Sequence, residues 1–202
     1  MKVKFFVLFI AVTLLAGANT SLKAQFIHTI DFEGLFDYEP VTNQYQHLGL
    51  TFSNATVLTA GFSLNEWDFP PNSGMNVVFD DMAPITVNFD TPVTAVGGYF
   101  TYVMPITMTA FNSLGEAVAS VNSTYFENYV WSGNPSNELL QIAYSPGIAS
   151  VQIMGDSWGG SYVMDDFMVG AAAVPEPSTF MLLGIGVIWL GILIRKKFSI
   201  II

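Results

Sequence analysis

Between Gln25 and Val174 the chain has no lysine and no arginine, yet that stretch holds every one of its 16 acidic residues except Glu176. Carboxylates in such a segment have three outlets. They can be solvated, accept hydrogen bonds from neutral donors, or bind cations. Dense oxygen donors with unneutralised charge suit a hard divalent cation, calcium above all. A surface that is merely acidic and soluble has the same composition. What the charge excludes is clearer: nothing in this segment offers a footprint for nucleic acid or anionic lipid.

A second chemistry lies in three tryptophans set in turn-rich segments beside acids and amides. They occur in Asn65-Glu66-Trp67-Asp68, Val130-Trp131-Ser132-Gly133 and Ser157-Trp158-Gly159-Gly160. Exposed indoles stack on the apolar faces of sugars while neighbouring polar groups take the hydroxyls, so Trp67, Trp131 and Trp158 are candidate glycan contacts. The other reading is that each caps an end of the core.

Catalysis has little support. There is no cysteine, which removes thiol chemistry, disulfides and cysteine-zinc sites. There is no Gly-x-Ser-x-Gly elbow and no His-Glu-x-x-His, and no basic side chain is available to stabilise a developing anion. His28 and His47 are the only histidines. His28 falls on the apolar side of an alternating run and is expected to be packed. Two carboxylates suffice for glycoside hydrolysis. Glu66 with Asp68, or Glu127, lie near tryptophans, but no spacing singles out a pair. The expectation is a non-enzymatic domain with no catalytic residue, and a carboxylate-dependent glycoside hydrolase is the alternative.

The elements that must position these groups are strands. Met1–Ala24 reads as a secretory signal peptide, with Lys2 and Lys4 ahead of an apolar run, Phe5–Leu15, too short for an ordinary span. Cleavage fits after Ala18 or, with a better spacer, after Ala24. Beyond it, Phe26–Glu33 alternates, placing Phe26, His28, Ile30 and Phe32 on one face and Asp31 and Glu33 on the other. Leu48–Ser53, Asn76–Asp80, Ile85–Asp90, Val93–Val103, Ile106–Phe111, Glu116–Val121, Leu139–Tyr144, Ala149–Met154 and Tyr162–Val169 are further β-rich runs. Turn signals such as Pro70-Pro71-Asn72-Ser73-Gly74 and Ser145-Pro146-Gly147 separate them. Residues 25–170 are therefore expected to form an all-β domain, an antiparallel β-sandwich of jelly-roll type. Residues 171–178, small and proline-containing, make an extended linker.

After the linker, Ser178–Ile194 carries no charge. As a helix it would reach roughly 26 Å, enough to span a bilayer with little tilt. Arg195, Lys196 and Lys197 would stay cytoplasmic by the positive-inside rule. The expected layout ends with a transmembrane helix over 179–194 and a basic tail over 195–202. Val174-Pro175-Glu176-Pro177-Ser178, the apolar run and the basic cluster, in that order near the terminus, resemble the PEP-CTERM sorting signal of exported proteins from exopolysaccharide-making Gram-negative bacteria. The resemblance covers about residues 173–197. It implies an exosortase as partner, a multi-pass membrane protease and transpeptidase acting near the Pro-Glu-Pro motif. It also implies a membrane-anchored precursor and a mature form at the cell surface or in the extracellular matrix. A plain C-terminal membrane anchor is the other reading.

The middle of the chain resembles, less specifically, the jelly-roll domains often joined to such tails. Asp31-Phe32-Glu33, Gly97-Gly98-Tyr99-Phe100 and Met164-Asp165-Asp166-Phe167 carry that likeness. The resemblance implies that the first and last strands are neighbours and that carboxylates there bind a structural calcium. The ligands it points to are Glu33 and Asp166, with Asp31 and Asp165 as additions. Exopolysaccharide binding and a purely structural matrix role both fit these features.

Overall fold

Ile85, Val87 and Phe89 alternate with Thr86, Asn88 and Asp90, and this period of two becomes the first half of the longest strand. The computed structural model describes residues 24–172. They fall within one unit, Lys23–Ala173. The signal peptide up to Lys23, the sorting motif Val174–Ser178, the apolar run and Arg195–Lys197 lie outside the described residues. Among the described residues no helix is long and apolar enough to cross a membrane.

The strands are β1 Ala24–Ile30, β2 Pro40–Val41, β3 Leu50–Ser53, β4 Ala55–Thr59, β5 Asn76–Asp80, β6 Ile85–Tyr102, β7 Thr107–Phe111, β8 Ala117–Asn122, β9 Glu138–Met154 and β10 Tyr162–Ala172. Every pairing between them is antiparallel. The main order is β2-β4-β5-β10-β6-β9-β7-β8, with β1 added to β10 and β3 to β6.

Two layers arise because β6 and β9 each turn a corner. Ile85–Asn88 of β6 pairs with Ser150–Ile153 of β9, and Ala95–Phe100 pairs with Glu138–Ala143, with register shifts on both sides of Val93. At the corner Pro92 faces Gly147. Gly147 has φ 115, and a Cβ there would stand 3.0 Å from the Pro92 Cβ. The sequence places a turn at Ser145-Pro146-Gly147. In the structure the chain stays in the ladder there and bends, because a residue without an N–H and a glycine together loosen pairing without ending it.

The layers meet in one core. Leu50, Phe52, Val87, Met108 and Val151 enter it from one side, and Val96, Phe100, Leu140, Met164 and Phe167 from the other. Phe52 of β3 meets Phe167 of β10 edge-on at 5.7 Å, and Phe32 meets Phe52 at 6.0 Å.

Three local expectations change. The alternation in β1 is broken by a bulge between Phe26 and His28. The bulge puts Phe26 out of phase with His28 and Ile30, which pair in unbroken register with Val169 and Phe167. His28 is exposed nonetheless, contrary to the expectation of a packed side chain, while Ile30 is buried. The strand ends at Ile30. Phe32, at φ 60, then takes a left-handed turn that still buries its ring. β4 follows β3 after Asn54 alone, which has φ 58 and anchors its Nδ2 on the Pro84 carbonyl at 3.1 Å. β3 pairs with β6 and β4 with β5, so one left-handed residue passes the chain between partners. β10 continues to Ala172, two residues into the segment assigned to the linker.

Phe167 is fully buried where the two layers touch. Phe167→Ala is expected to destabilise the domain by about 3–5 kcal/mol, read from the midpoint of urea unfolding.

Candidate functional site

Ile30 of β1 pairs with Phe167 of β10, so the first and last strands are neighbours and their flanking acids come to one region. Asp165 lies where the β10 register shifts, and Asp166 beyond it has φ 46. The Asp166 N–H donates to Asp165 Oδ1 at 2.6 Å. Asp165 Oδ2 accepts the N–H groups of Asn72 and Ser73 at 2.7 and 2.8 Å. Asp166 Oδ2 accepts Asn72 Nδ2 at 2.7 Å, and its Oδ1 accepts the Ser73 hydroxyl at 2.9 Å. Glu33 Oε1 accepts the N–H groups of Met75 and Asn76, both at 2.7 Å. Buried Asn76 closes the group by donating Nδ2 to the carbonyls of Phe32 and Leu35.

Segment 72–76 is thus clasped by three carboxylates through neutral donors. Gly74 has φ 53 and lies under Glu33, where a Cβ would collide with the carboxylate. Asp31 plays a local part, accepting the Glu33 N–H at 3.2 Å. Burial pushes the Asp165 carboxyl up to about 6, against the pull of the Ser73 N–H and with repulsion from Asp166. Among the described residues no three His, Cys, Asp or Glu side chains converge as a metal-binding group.

The tryptophans stand elsewhere. Buried Asn128 acts as an extra strand residue at the end of β6. Its N–H donates to the Tyr102 carbonyl at 2.9 Å, its Oδ1 accepts the Tyr102 N–H at 2.7 Å, and its Nδ2 donates to the Phe100 carbonyl at 2.9 Å. Two residues on, the Val130 N–H donates to the Asp68 carbonyl at 3.0 Å and joins the two loops. Trp67 and Trp131 each lie one residue from that bond and are 77% and 76% exposed. Neither caps the core. Around them Asn65 Nδ2 donates to Asp68 Oδ2 at 2.7 Å and Asn134 Nδ2 to the Glu127 carbonyl at 2.9 Å.

Trp158, 79% exposed, is carried by its own turn. Asp80 Oδ1 accepts the Gly160 N–H at 2.8 Å. A Cβ at Gly159 would stand 2.6 Å from the Met82 nitrogen and 2.8 Å from the Asp80 carbonyl oxygen, so that position admits only glycine. Burial pushes the Asp80 carboxyl up to about 6 despite the Gly160 bond.

Both aromatic regions attach at one end of the sheet. Tyr102 and Tyr162 are paired there, while Ala24 and Ala172 are paired at the far end of β10. The strand rise sets these ends roughly 30 Å apart. The sequence contains the anchoring residues Asn72, Ser73, Asn76 and Asn128 but does not single them out. Asn72-Ser73 was legible only as turn chemistry, and nothing local marks Asn128.

Two outcomes follow from these contacts. Asp80 has a folded pKa above its ordinary value, so the native state holds a proton that the unfolded state releases. Its contribution makes stability rise as pH falls from about 7 towards 4. Asp80→Asn is expected to flatten that rise in a pH series of thermal melts. Asn128→Ala strands the Tyr102 N–H and the Phe100 carbonyl, and is expected to cost about 1–3 kcal/mol in urea unfolding.

Residues 173–197 match the family model of the PEP-CTERM protein-sorting motif. A search of curated proteins found no match. Among solved structures the chain is similar to the CBM22-1 xylan-binding domain of Paenibacillus barcinonensis Xyn10C, at 15% identity and TM-score 0.40, covering 77% of this chain and 100% of that one. It is similar to the K1 cleaved adhesin domain of Lys-gingipain from Porphyromonas gingivalis W83, at 8% identity and TM-score 0.43, covering 71% and 97%. It is also similar to the family 11 carbohydrate-binding module from Clostridium thermocellum, at 12% identity and TM-score 0.35, covering 76% and 98%. The chain therefore joins an all-β antiparallel domain to a C-terminal PEP-CTERM sorting motif, which implies export and exosortase processing.

Proposed function

We propose that this is an exported protein of the cell surface or exopolysaccharide matrix, whose β-sandwich is a non-catalytic glycan-binding module released near its Pro-Glu-Pro motif by an exosortase. Three exposed indoles on loops anchored to the sheet are the observation that carries the reading. The strand ends that lead to the signal peptide and to the sorting tail are paired with each other at Ala24 and Ala172. Trp131 and Trp158 stand out from loops at the opposite end of β10, and the loop of Trp67 is joined to that of Trp131 by the Val130–Asp68 bond. Exposed indoles on well-anchored loops suit the apolar faces of sugars at small entropic cost.

The membrane is a partner of the precursor only. Intact mass spectrometry of the protein from its native cell fraction is expected to show a chain lacking the apolar run and Arg195–Lys197. A mass that still includes them would make the tail a plain anchor. Purified protein incubated with polysaccharides is expected to release no reducing ends, and release would restore the glycoside hydrolase reading.

A second reading rests on the acidic clasp. Glu33 and Asp166, with Asp31 and Asp165, would hold a structural calcium by closing together on it, since no three of these side chains converge as they stand. The donors are all oxygen, and no lysine or arginine in the domain competes with a cation. The amides of segment 72–76 already occupy oxygens of Glu33, Asp165 and Asp166, so bound calcium would share them. Differential scanning calorimetry tests it: the melting temperature is expected to rise in calcium over EDTA, and not to do so in Glu33→Gln with Asp166→Asn. Equal melting temperatures in the unmodified protein remove the site.

A further inference from the structure

We infer that the face formed by Trp67 and Trp131 takes a neutral polysaccharide and rejects polyanionic ones. The inference rests on the glycan-binding reading and names the ligand class. Its ground is the chemistry of the two loops. Every side-chain donor beside the indoles is neutral: Asn65, Ser132, Asn134 and the indole N–H groups themselves. The fixed charges that the loops carry are all negative: Glu66, Asp68 and Glu127. Behind the loops there is no remedy, because the domain from Gln25 to Val174 contains no lysine or arginine.

A uronate or sulfate brought to this face would lose water without gaining a cation. It would also meet carboxylates inside the Debye length of about 8 Å at physiological salt. A sugar hydroxyl meets the opposite situation. It can donate to Asp68 or Glu66 and accept from the amides, while its ring lies on an indole.

The geometry suits a chain rather than a single sugar. Trp67 and Trp131 belong to separate loops that are joined by the bond from the Val130 N–H to the Asp68 carbonyl. The second loop is fixed in turn by Asn128 on β6. Two aromatic platforms on adjoining, immobilised loops can engage successive residues of one extended strand. The face also lies at the end of β10 away from Ala24 and Ala172, where the membrane-directed segments depart. The lack of lysine and arginine disfavours an anionic lipid surface as the occupant.

Affinity electrophoresis of the mature protein tests this in gels containing β-glucan, xylan or galactomannan on one side and polygalacturonate or alginate on the other, all with EDTA. Retention is expected in at least one neutral gel, unchanged when salt is raised, and weakened at least about tenfold by Trp67→Ala with Trp131→Ala. No retention is expected in the acidic gels. Retention by an acidic polysaccharide in EDTA would overturn the inference while leaving glycan binding in place. Retention in no gel would overturn both. Both tryptophans are exposed, so the variant is expected to keep the urea midpoint of the parent. A lost midpoint would send the test to single Trp67→Phe and Trp131→Phe variants, where weakened neutral retention supports the inference and unchanged retention counts against it.

Discussion

A carboxylate with no cation in reach must find N–H and O–H groups, and in this domain that constraint organises the loops. Asp165, Asp166 and Glu33 hold segment 72–76. Asp37 accepts the Thr59 N–H at 2.9 Å and the Ser63 hydroxyl. Glu39 accepts the Phe36 N–H and Gln44 Nε2, which holds its carboxyl below the usual range. Glu138 accepts the Tyr102 hydroxyl and the Thr124 N–H, and Asp80 seats the turn that carries Trp158. Each acid fastens a loop to a strand or closes a turn. Among the described residues no buried side-chain nitrogen or oxygen lacks a partner. The cost is uncompensated negative charge, which a small fall in pH relieves at the buried members first.

The corner at Pro92 and Gly147 gives this network its frame. β6 and β9 cross it and run in both layers, so the core is shared by two sheets that remain hydrogen-bonded to each other. The same path gives the domain two unlike ends. One gathers the chain termini at Ala24 and Ala172, and the other gathers the loops over residues 123–137 and 155–161. The loop over 60–75 leaves β4 and β5 at Thr59 and Asn76 and meets the 123–137 loop through the Val130–Asp68 bond. These two ends are separated by the length of β10.

Most strands were legible because period-two alternation reports a half-buried sheet directly. Asn76–Asp80 appears with the boundaries its residues suggest, and Ile85–Asp90 and Ala149–Met154 appear as halves of longer strands. The turn signal at Ser145-Pro146-Gly147 marked a real break in pairing but not its kind, since a corner and a chain reversal use the same residues. The bulge after Phe26 was invisible, and it puts Phe26 out of phase with His28 and Ile30. At the site, the adjacency of the first and last strands was an expectation of the family resemblance, and β1 does pair with β10. The acids' partners in segment 72–76 were not foreseeable, because those contacts join positions 42 and 43 residues apart for Glu33 and 93 and 94 apart for Asp165 and Asp166.

The sequence by itself determined the charge, the all-β class and the C-terminal sorting motif, since composition, alternation and a short ordered motif are local properties. It determined equally that no lysine or arginine could serve the carboxylates. Tertiary structure alone decided where those carboxylates turn for donors. It decided that the loops carrying Trp67 and Trp131 are joined by the bond from the Val130 N–H to the Asp68 carbonyl, and that the second of them is fixed to the end of β6 by Asn128. Such outcomes depend on strand register and corner geometry, and a register is a choice among whole-sheet pairings that no single run of residues contains.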